Sequence, residues 1–247
     1  MADWNDPQST RNNWGQTVRI NGEVMGAAST DQGLRKYMLS IYNYMASGVL
    51  LSGVVALLFA NSGMAAAVLG TPLRWLIALA PLGFVMAMSF GVNRMQTGTL
   101  QMLFWGFSVA MGLSLSAIFL IYTGPSIALT FFSTAGAFAG LSLFGYTTKR
   151  NLSAMGSFMA MGLIGIIIAM LLNLWLQSSG LAMVISILGV VIFAGLTAWD
   201  NQRLRETYYQ VAGSDMVGKV VIMGALTLYL DFINLFQFLL QFMGDRR

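Results

Sequence analysis

The chain has 247 residues, of which 57% are apolar and only 9% are charged, and its mean hydropathy is +0.70. Soluble globular domains carry about a quarter charged residues, so this composition excludes a water-soluble domain and indicates an integral membrane protein. The chain contains no Cys and no His, which excludes disulfides, thiolate or imidazole metal sites, and catalysis by Ser-His-Asp or Cys-His groups.

The first 33 residues differ from the rest of the chain, because they are rich in Asn, Asp, Gln, Gly, Ser and Thr. Such a segment buries too little apolar surface to offset the entropy lost on ordering, so we expect residues 1–33 to form a flexible cytoplasmic tail. It is not a secretory signal, since the first apolar run begins only at Tyr37 and further apolar runs follow.

Seven apolar segments follow the tail, each with about the 20 residues that a helix needs to cross a bilayer. They are residues 37–60, 75–92, 99–122, 125–147, 154–176, 181–199 and 220–243. The seventh contains several polar residues, so it is either a full span buried in the bundle or a re-entrant hairpin, and its length favours the full span. We therefore expect an all-α integral membrane protein, with a seven-helix bundle over residues 34–247.

The fourth segment contains Gly136 and Gly140 at the GxxxG spacing. Glycines at this spacing let two helix backbones approach closely, so we expect them at a helix–helix interface. The sequence has no internal repeat at the spacing of helix pairs, and an inverted-repeat transporter therefore has no sequence support.

The distribution of Lys and Arg predicts the orientation in the membrane. With the N-terminus in the cytoplasm, ten basic residues lie on the inner side and three, Arg74, Arg246 and Arg247, on the outer side. The last two would suit the inner side better, which is the feature that favours the re-entrant alternative. The same distribution accounts for the net charge of +4, so we expect no nucleic-acid partner.

Asp231 lies near the middle of the seventh segment, in the sequence LTLYLDFINLF. A charged side chain at the centre of a membrane helix costs about 2.5 to 3.5 kcal/mol on the insertion scale, and those that occur usually face a cavity or one another. Thr227, Asp231 and Asn234 fall on one helical face, which predicts a polar stripe directed at the bundle interior. The alternative is a protonated acid that only hydrogen-bonds a neighbouring helix.

Two more polar groups follow apolar segments: Asp200 in LTAWDNQRLRETYY and Arg94 in SFGVNRMQTG. Asp200 could be a helix-end carboxylate paired with Arg203, and Arg94 an ordinary basic residue of an inner loop. If Asp200 instead lies about 4 Å from Asp231, their repulsion at an effective dielectric near 20 is on the order of 4 kcal/mol. Such a pair would share a proton and would offer oxygen ligands that suit Ca²⁺.

Four segments together resemble the transmembrane Bax inhibitor motif family, in its bacterial branch. They are ALTLYLDFINLFQFLLQFMG, LTAWDNQRLRE, SLFGYTTKRNLS and GLSLSAIFLIYTG, and the resemblance extends over residues 34–247. It implies a seven-helix fold with the last helix at the centre, in a multi-pass protein of the bacterial inner membrane. It also implies a pH-sensitive Ca²⁺ leak controlled by two aspartates, here Asp200 and Asp231, one of which is latched by an arginine at the position of Arg94.

We therefore expect passive, proton-regulated Ca²⁺ permeation, with no enzymatic activity and no cofactor. Asp200 and Asp231 would be the pH sensor and candidate Ca²⁺ contacts, Arg94 the latch, and Thr227 and Asn234 residues that line the pathway. The partners would be the lipid bilayer, Ca²⁺ and protons.

Two alternatives come from other functional classes. One is a non-conducting interaction protein that regulates another membrane protein, such as a quality-control protease. The other is intramembrane aspartyl proteolysis, which needs two facing acids but which the resemblance disfavours.

Overall fold

The structure is a computed structural model that describes residues 18–20, 23–25 and 27–247, with side chains over residues 31–68 and 70–247. Val18–Ile20 (β1) pairs antiparallel with Glu23–Met25 (β2) in a short hairpin. The prediction of a flexible tail for the rest of residues 1–26 lies outside the described residues.

The remainder of the described chain is helical. The helices are α1 (Ala27–Asn61), α2 (Met64–Leu69), α3 (Leu73–Gly91), α4 (Thr97–Ile121), α5 (Gly124–Thr147), α6 (Ser153–Leu176), α7 (Ser179–Val211) and α8 (Val217–Met243). All of them except the short α2 are long and apolar enough to cross a bilayer, and each overlaps one of the seven predicted spans. The predicted all-α, seven-helix fold class is confirmed.

The first helix begins earlier than the sequence predicts. Residues 27–33, expected to be tail, continue α1 towards its N-terminus. Extending an existing helix needs no new nucleation, and the helix is anchored one turn further on, where Leu34 and Tyr37 are buried in the bundle.

Helix α8 is the centre of the bundle. In the most apolar 18-residue stretch of α8, 67% of the residues are buried, whereas the corresponding fraction is at most 39% in any other span. Helix α8 packs against α1, α4, α5 and α7. It is one uninterrupted helix of 27 residues, about 40 Å long, so it can cross a bilayer once. The re-entrant alternative is wrong, because a hairpin would require a break in this helix.

Helix α7 is longer than predicted. The sequence predicts an end of the sixth span at Trp199, whereas the helix continues for three more turns to Val211. Leu204 and Tyr208 extend its buried face at four-residue spacing, and Asn201, three residues before Leu204, is fully buried. Asp200 therefore lies inside a helix, and its interpretation as a helix-end carboxylate is wrong.

The glycines that bring helices together are not those of the GxxxG pair. A Cβ atom at Gly136 or Gly140 would meet no atom within 4 Å, so within the described chain this face of α5 contacts no other helix. One turn and a half further along α5, a Cβ at Gly145 would lie 2.1 Å from the backbone oxygen of Ala198 in α7. The close approach of α5 and α7 therefore occurs beside Asp200.

The C-terminus is fastened to the loop between α4 and α5. The backbone N–H of Thr123 donates to the carbonyl of Asp245 (3.1 Å), and that of Arg247 donates to Ile121 (2.9 Å). The N–H of Asp245 also donates to Ser126 Oγ (2.9 Å). Since the chain crosses the bundle seven times, this end of the molecule is opposite to the start of α1.

Candidate functional site: an acid pair in a lateral groove

Asp200 of α7 and Asp231 of α8 are neighbours. Both are buried, with 7% and 5% of their surfaces exposed, and their side chains interact within hydrogen-bonding reach. A carboxylate has no donor, so a hydrogen bond between two carboxyl groups requires a proton on one of them. The predicted proximity of the two acids is present in the structure.

The packing of α7 against α8 explains this proximity. A tight turn at residues 212–216, with Gly213 at φ 77°, reverses the chain so that the two helices run antiparallel. Two glycines fix the register of α7 against α8, one on either side of the acids. The side chain of Leu204 packs against Gly224 of α8, and the ring of Phe238 packs against Gly189 of α7. In this register, positions 200 and 231 lie opposite each other.

The oxygen Asp231 Oδ2 is buried, and no N–H or hydroxyl group of the described residues donates to it. Buried polar atoms are nearly always paired, and the proton shared with Asp200 is the donor that can pair with this oxygen. Arg203, one turn further along α7, interacts electrostatically with Asp200. The Arg203 guanidinium also lies over the ring of Trp199, 5.4 Å from its centroid.

The acids lie in a groove of about 790 Å³ between helices. Helix α8 forms its floor, α6 and α7 form one wall, and Ile118 and Tyr122 of α4 lie on the other side. The walls are apolar, with Leu163, Ile166, Ile167 and Met170 from α6 and Phe193 and Leu196 from α7. Because α6 packs against α7 and not closely against α8, the groove is open between α6 and α8. Since these helices are long and apolar enough to span a bilayer, we infer that this opening faces lipid.

A polar stripe on α8 follows the floor of this groove. Thr227, Asp231 and Asn234 line it as the sequence predicts, and Gln237 and Gln241 continue the stripe towards the end of α8 that carries the C-terminus. Exposure increases in that direction, from the buried Asp231 through the half-buried Asn234 to the exposed glutamines. The stripe spans about 21 Å, or four helical turns.

The structure does not bring Arg94 to the acids. Arg94 lies exposed in the turn between α3 and α4, where its backbone N–H donates to Gly91 (2.9 Å), and it forms no ion pair with any described residue. The predicted latch contact between Arg94 and Asp200 is therefore absent from this conformation, in which Arg203 takes the place next to Asp200. A role for Arg94 in another conformation stays a prediction.

Sequence reasoning missed the polar residues that hold α7 in position next to Asp200. Asn201 is fully buried: its Oδ1 accepts from Tyr42 of α1 (2.6 Å), and its Nδ2 donates to Ser142 Oγ of α5 (3.1 Å) and to the Thr197 carbonyl (2.7 Å). This single amide ties three helices together. The signal that could have found it is the apolar spacing of Leu204 and Tyr208, which shows that the buried face continues past Trp199.

The next residue fastens the turn between α5 and α6. Gln202 Oε1 accepts from the backbone N–H of Leu152 (2.8 Å), while its Nε2 donates to the carbonyl of Arg150 (2.7 Å). The guanidinium of Arg205 also donates to the carbonyl of Tyr146 (2.5 Å). These contacts fix the rotation of α7 about its axis, and with it the direction of Asp200.

The described residues contain no group of three or more Asp, Glu, His or Cys side chains that could hold a metal ion. Ca²⁺ takes six to eight oxygen ligands in a stable site, more than two carboxylates supply. Ca²⁺ contact with Asp200 and Asp231 would therefore be transient, and it stays a prediction.

The sequence of the chain matches one family model and several known proteins. The family model described as inhibitor of apoptosis-promoting Bax1 matches residues 34–247. The chain is 50% identical over 219 residues to an uncharacterized protein of Rickettsia prowazekii, covering 88% of this chain and 92% of the relative. It is 46% identical over 219 residues to the inner membrane protein YbhL of Escherichia coli K12, covering 87% and 94% of the two chains. An uncharacterized protein of Caulobacter vibrioides is 46% identical over 231 residues, covering 89% and 92%.

Proposed function

The chain belongs to the Bax inhibitor family of membrane proteins, and from this premise we propose that it is a passive, pH-sensitive Ca²⁺ leak channel of the bacterial inner membrane, gated by Asp200 and Asp231. The observation that carries the proposal is that these two buried acids, on neighbouring helices, line one groove within hydrogen-bonding reach of each other. The inner-membrane location rests on the name of the Escherichia coli relative, and the cytoplasmic N-terminus on the distribution of basic residues.

The acid pair can act as a proton-operated contact. With one shared proton, the two carboxyl groups attract each other and hold α7 against α8. Without it, two negative charges about 4 Å apart repel each other by on the order of 4 kcal/mol at an effective dielectric near 20. Each change in protonation therefore changes both the packing of α7 on α8 and the charge that a cation meets in the groove.

Few other groups can compete for this proton. Among the described residues that line the groove, Arg203 of α7 and Tyr122 of α4 are the other titratable side chains, and the residues of α6 are apolar. Arg203 stabilises the ionised form of Asp200, so loss of the shared proton would draw Asp200 towards Arg203 and away from Asp231. We infer that this exchange of partners is the gating step.

The polar stripe supplies the path for the ion. Side-chain oxygens of Asn234, Gln237 and Gln241 lead from the acids to one end of α8, where the glutamines are exposed. Oxygen ligands of this kind suit a hard cation such as Ca²⁺. We therefore propose that a partly hydrated ion moves along the floor of the groove and is held back at the acid pair.

Liposomes containing the purified protein and a Ca²⁺-sensitive dye test the proposal. The wild type should leak at a rate that depends on pH, and Asp231→Asn and Asp200→Asn should each lose this dependence, because a single acid has no carboxyl neighbour with which to share a proton. Asp215→Asn is the matched control, since Asp215 is exposed in the turn between α7 and α8 and should leave the pH profile unchanged.

Two results would contradict the proposal. Equal leak and equal pH profiles in all four proteins would remove the acid pair from the mechanism. Wild-type liposomes that leak no faster than empty ones would favour the non-conducting alternative, in which the protein regulates another membrane protein.

A further inference from the structure

We propose that the groove between α6 and α8 is a binding site for lipophilic amines, molecules with one protonated amine and one alkyl chain, which enter from the bilayer. The ammonium group would sit on the carboxylate of Asp231, and the alkyl chain would lie along the wall formed by α6. This inference goes beyond the proposed leak, because it requires the groove and its acids but no permeation.

The shape of the groove fits such a molecule. Its volume of about 790 Å³ falls within the usual range for small-molecule sites, about 300 to 1,000 Å³. It is open on the side that faces the bilayer, where Ile167 and Met170 of α6 are 50% and 47% exposed. A ligand dissolved in the membrane can therefore reach the floor without first crossing the protein surface in water.

The chemistry of the floor selects a cation with hydrogen-bond donors. Asp231 lines the groove although the residue is 95% buried, no described N–H or hydroxyl group donates to its carboxyl group, and Asp200 adds a second carboxyl group beside it. The nearby Arg203 does not fill this position, because it interacts with Asp200 and lies over the ring of Trp199. An ammonium group supplies several hydrogen-bond donors and the opposite charge to the part of the acid pair that faces the groove.

The same groove disfavours other membrane molecules. A fatty acid or an anionic lipid headgroup would bring a negative charge to two acids, and like charges at close range repel in this low-dielectric setting. A neutral alcohol can donate one hydrogen bond but offers no charge. The walls are apolar and accept an alkyl chain, but lipid tails are equally apolar, so the chain alone gives no preference for the groove over the bilayer.

Photolabelling tests the site directly. An alkylamine that carries a diazirine at the end of its chain is added to the purified full-length protein, irradiated, and its adducts are mapped by peptide mass spectrometry. Adducts should concentrate on α6 and α8, at residues such as Ile167, Met170 and Phe238. Excess dodecylamine should compete for labelling, whereas dodecanol at equal membrane concentration should not.

Matched variants then identify the contact. Asp231→Asn should reduce the labelling of the groove about tenfold, because it removes a charge-assisted hydrogen bond. Asp215→Asn should label like the wild type. Ala160→Trp places a large side chain on the α6 wall without altering either acid, so it should block labelling even if Asp231→Asn fails to fold.

The inference is overturned by equal competition from dodecanol, by full labelling of a folded Asp231→Asn or Ala160→Trp variant, or by adducts spread evenly over the bilayer-facing helices. These results are independent of the leak. A protein that binds the amine without conducting Ca²⁺ refutes only the leak proposal, and one that conducts without labelling refutes only the amine site.

Discussion

Asp200 and Asp231 meet because uncharged polar residues around them fix the helices that carry them. Asn201, directly after Asp200, uses its amide to connect α7 with α1 and α5. The cation beside Asp200 is Arg203 and not Arg94. The position of the acid pair therefore depends in part on residues that carry no charge themselves.

The amide of Asn201 gives the first residue-scale prediction. Asn201→Ala removes three hydrogen bonds and leaves the hydroxyls of the half-buried Tyr42 and the buried Ser142 without this partner, so the free energy of unfolding should fall by about 2 kcal/mol. Chemical denaturation in detergent measures this loss. Asn93→Ala, at an exposed position, is the matched control and should change stability by less than about 0.5 kcal/mol; equal losses would show that the Asn201 contacts are not stabilising.

Individual residues differ in how far sequence alone can place them. Thr227, Asp231 and Asn234 could be assigned to one face because helical periodicity is a local property. The partner of Asn201 could not be predicted, since Tyr42 lies 159 positions away in the chain. Whether Arg94 or Arg203 lies beside Asp200 likewise depends on the position of α3 relative to α7. The spacing of residues within one helix does not give this position.

At the scale of elements, the contact of α5 with α7 sets the position of the acids. Gly145 of α5 lies so close to the backbone of Ala198 that no side chain fits between the two helices. Ala198 is two residues before Asp200. Helices α5 and α7 are therefore in close contact near Asp200, at the height of the proposed gate.

Gly145→Ala should push α5 and α7 apart. The added methyl would lie 2.1 Å from the Ala198 oxygen, a backbone atom that cannot rotate away, so stability should fall by about 1 to 3 kcal/mol. Gly140→Ala in the same helix meets no atom within 4 Å and should be neutral or slightly stabilising, because Ala favours the helix. Thermal unfolding of both variants in detergent decides the matter, and similar midpoints would contradict close packing at Gly145.

At the scale of helices, sequence patterns predicted which segments span the membrane but not where every helix ends or which face it packs with. The seven spans were predictable because each is a long apolar run. The end of the sixth span was not, because Asn201 and Gln202 look like surface residues until their partners on other elements are known. The GxxxG pair was read as a contact inside the bundle, but the motif does not specify which face of α5 points inward.

For the whole molecule, seven crossings predict that the start of α1 and the end of α8 lie on opposite sides of the membrane. The C-terminus pairs with the loop between α4 and α5, at the end opposite the start of α1. Combined with the distribution of basic residues, this geometry predicts that the C-terminus and residues 177–179 face outward. The turn between α7 and α8 then faces the cytoplasm.

Because the chain has no Cys, single cysteines report this orientation without background. Ser179→Cys and Asp215→Cys both replace exposed residues at opposite ends of α7. A membrane-impermeant maleimide applied to intact cells should label position 179, and should label position 215 only after the membrane is permeabilised. The reverse pattern would invert the orientation, and labelling of both positions in intact cells would contradict an α7 that crosses the membrane.

The most direct measurement is an infrared titration of the carboxyl groups in the wild type, Asp200→Asn, Asp231→Asn and Asp215→Asn. If the two acids share a proton, replacing either one must change the titration of the other, while Asp215→Asn leaves both unchanged. If Asp231 titrates identically with and without Asp200, and Asp200 identically with and without Asp231, the groups are independent and the proposed gate does not exist.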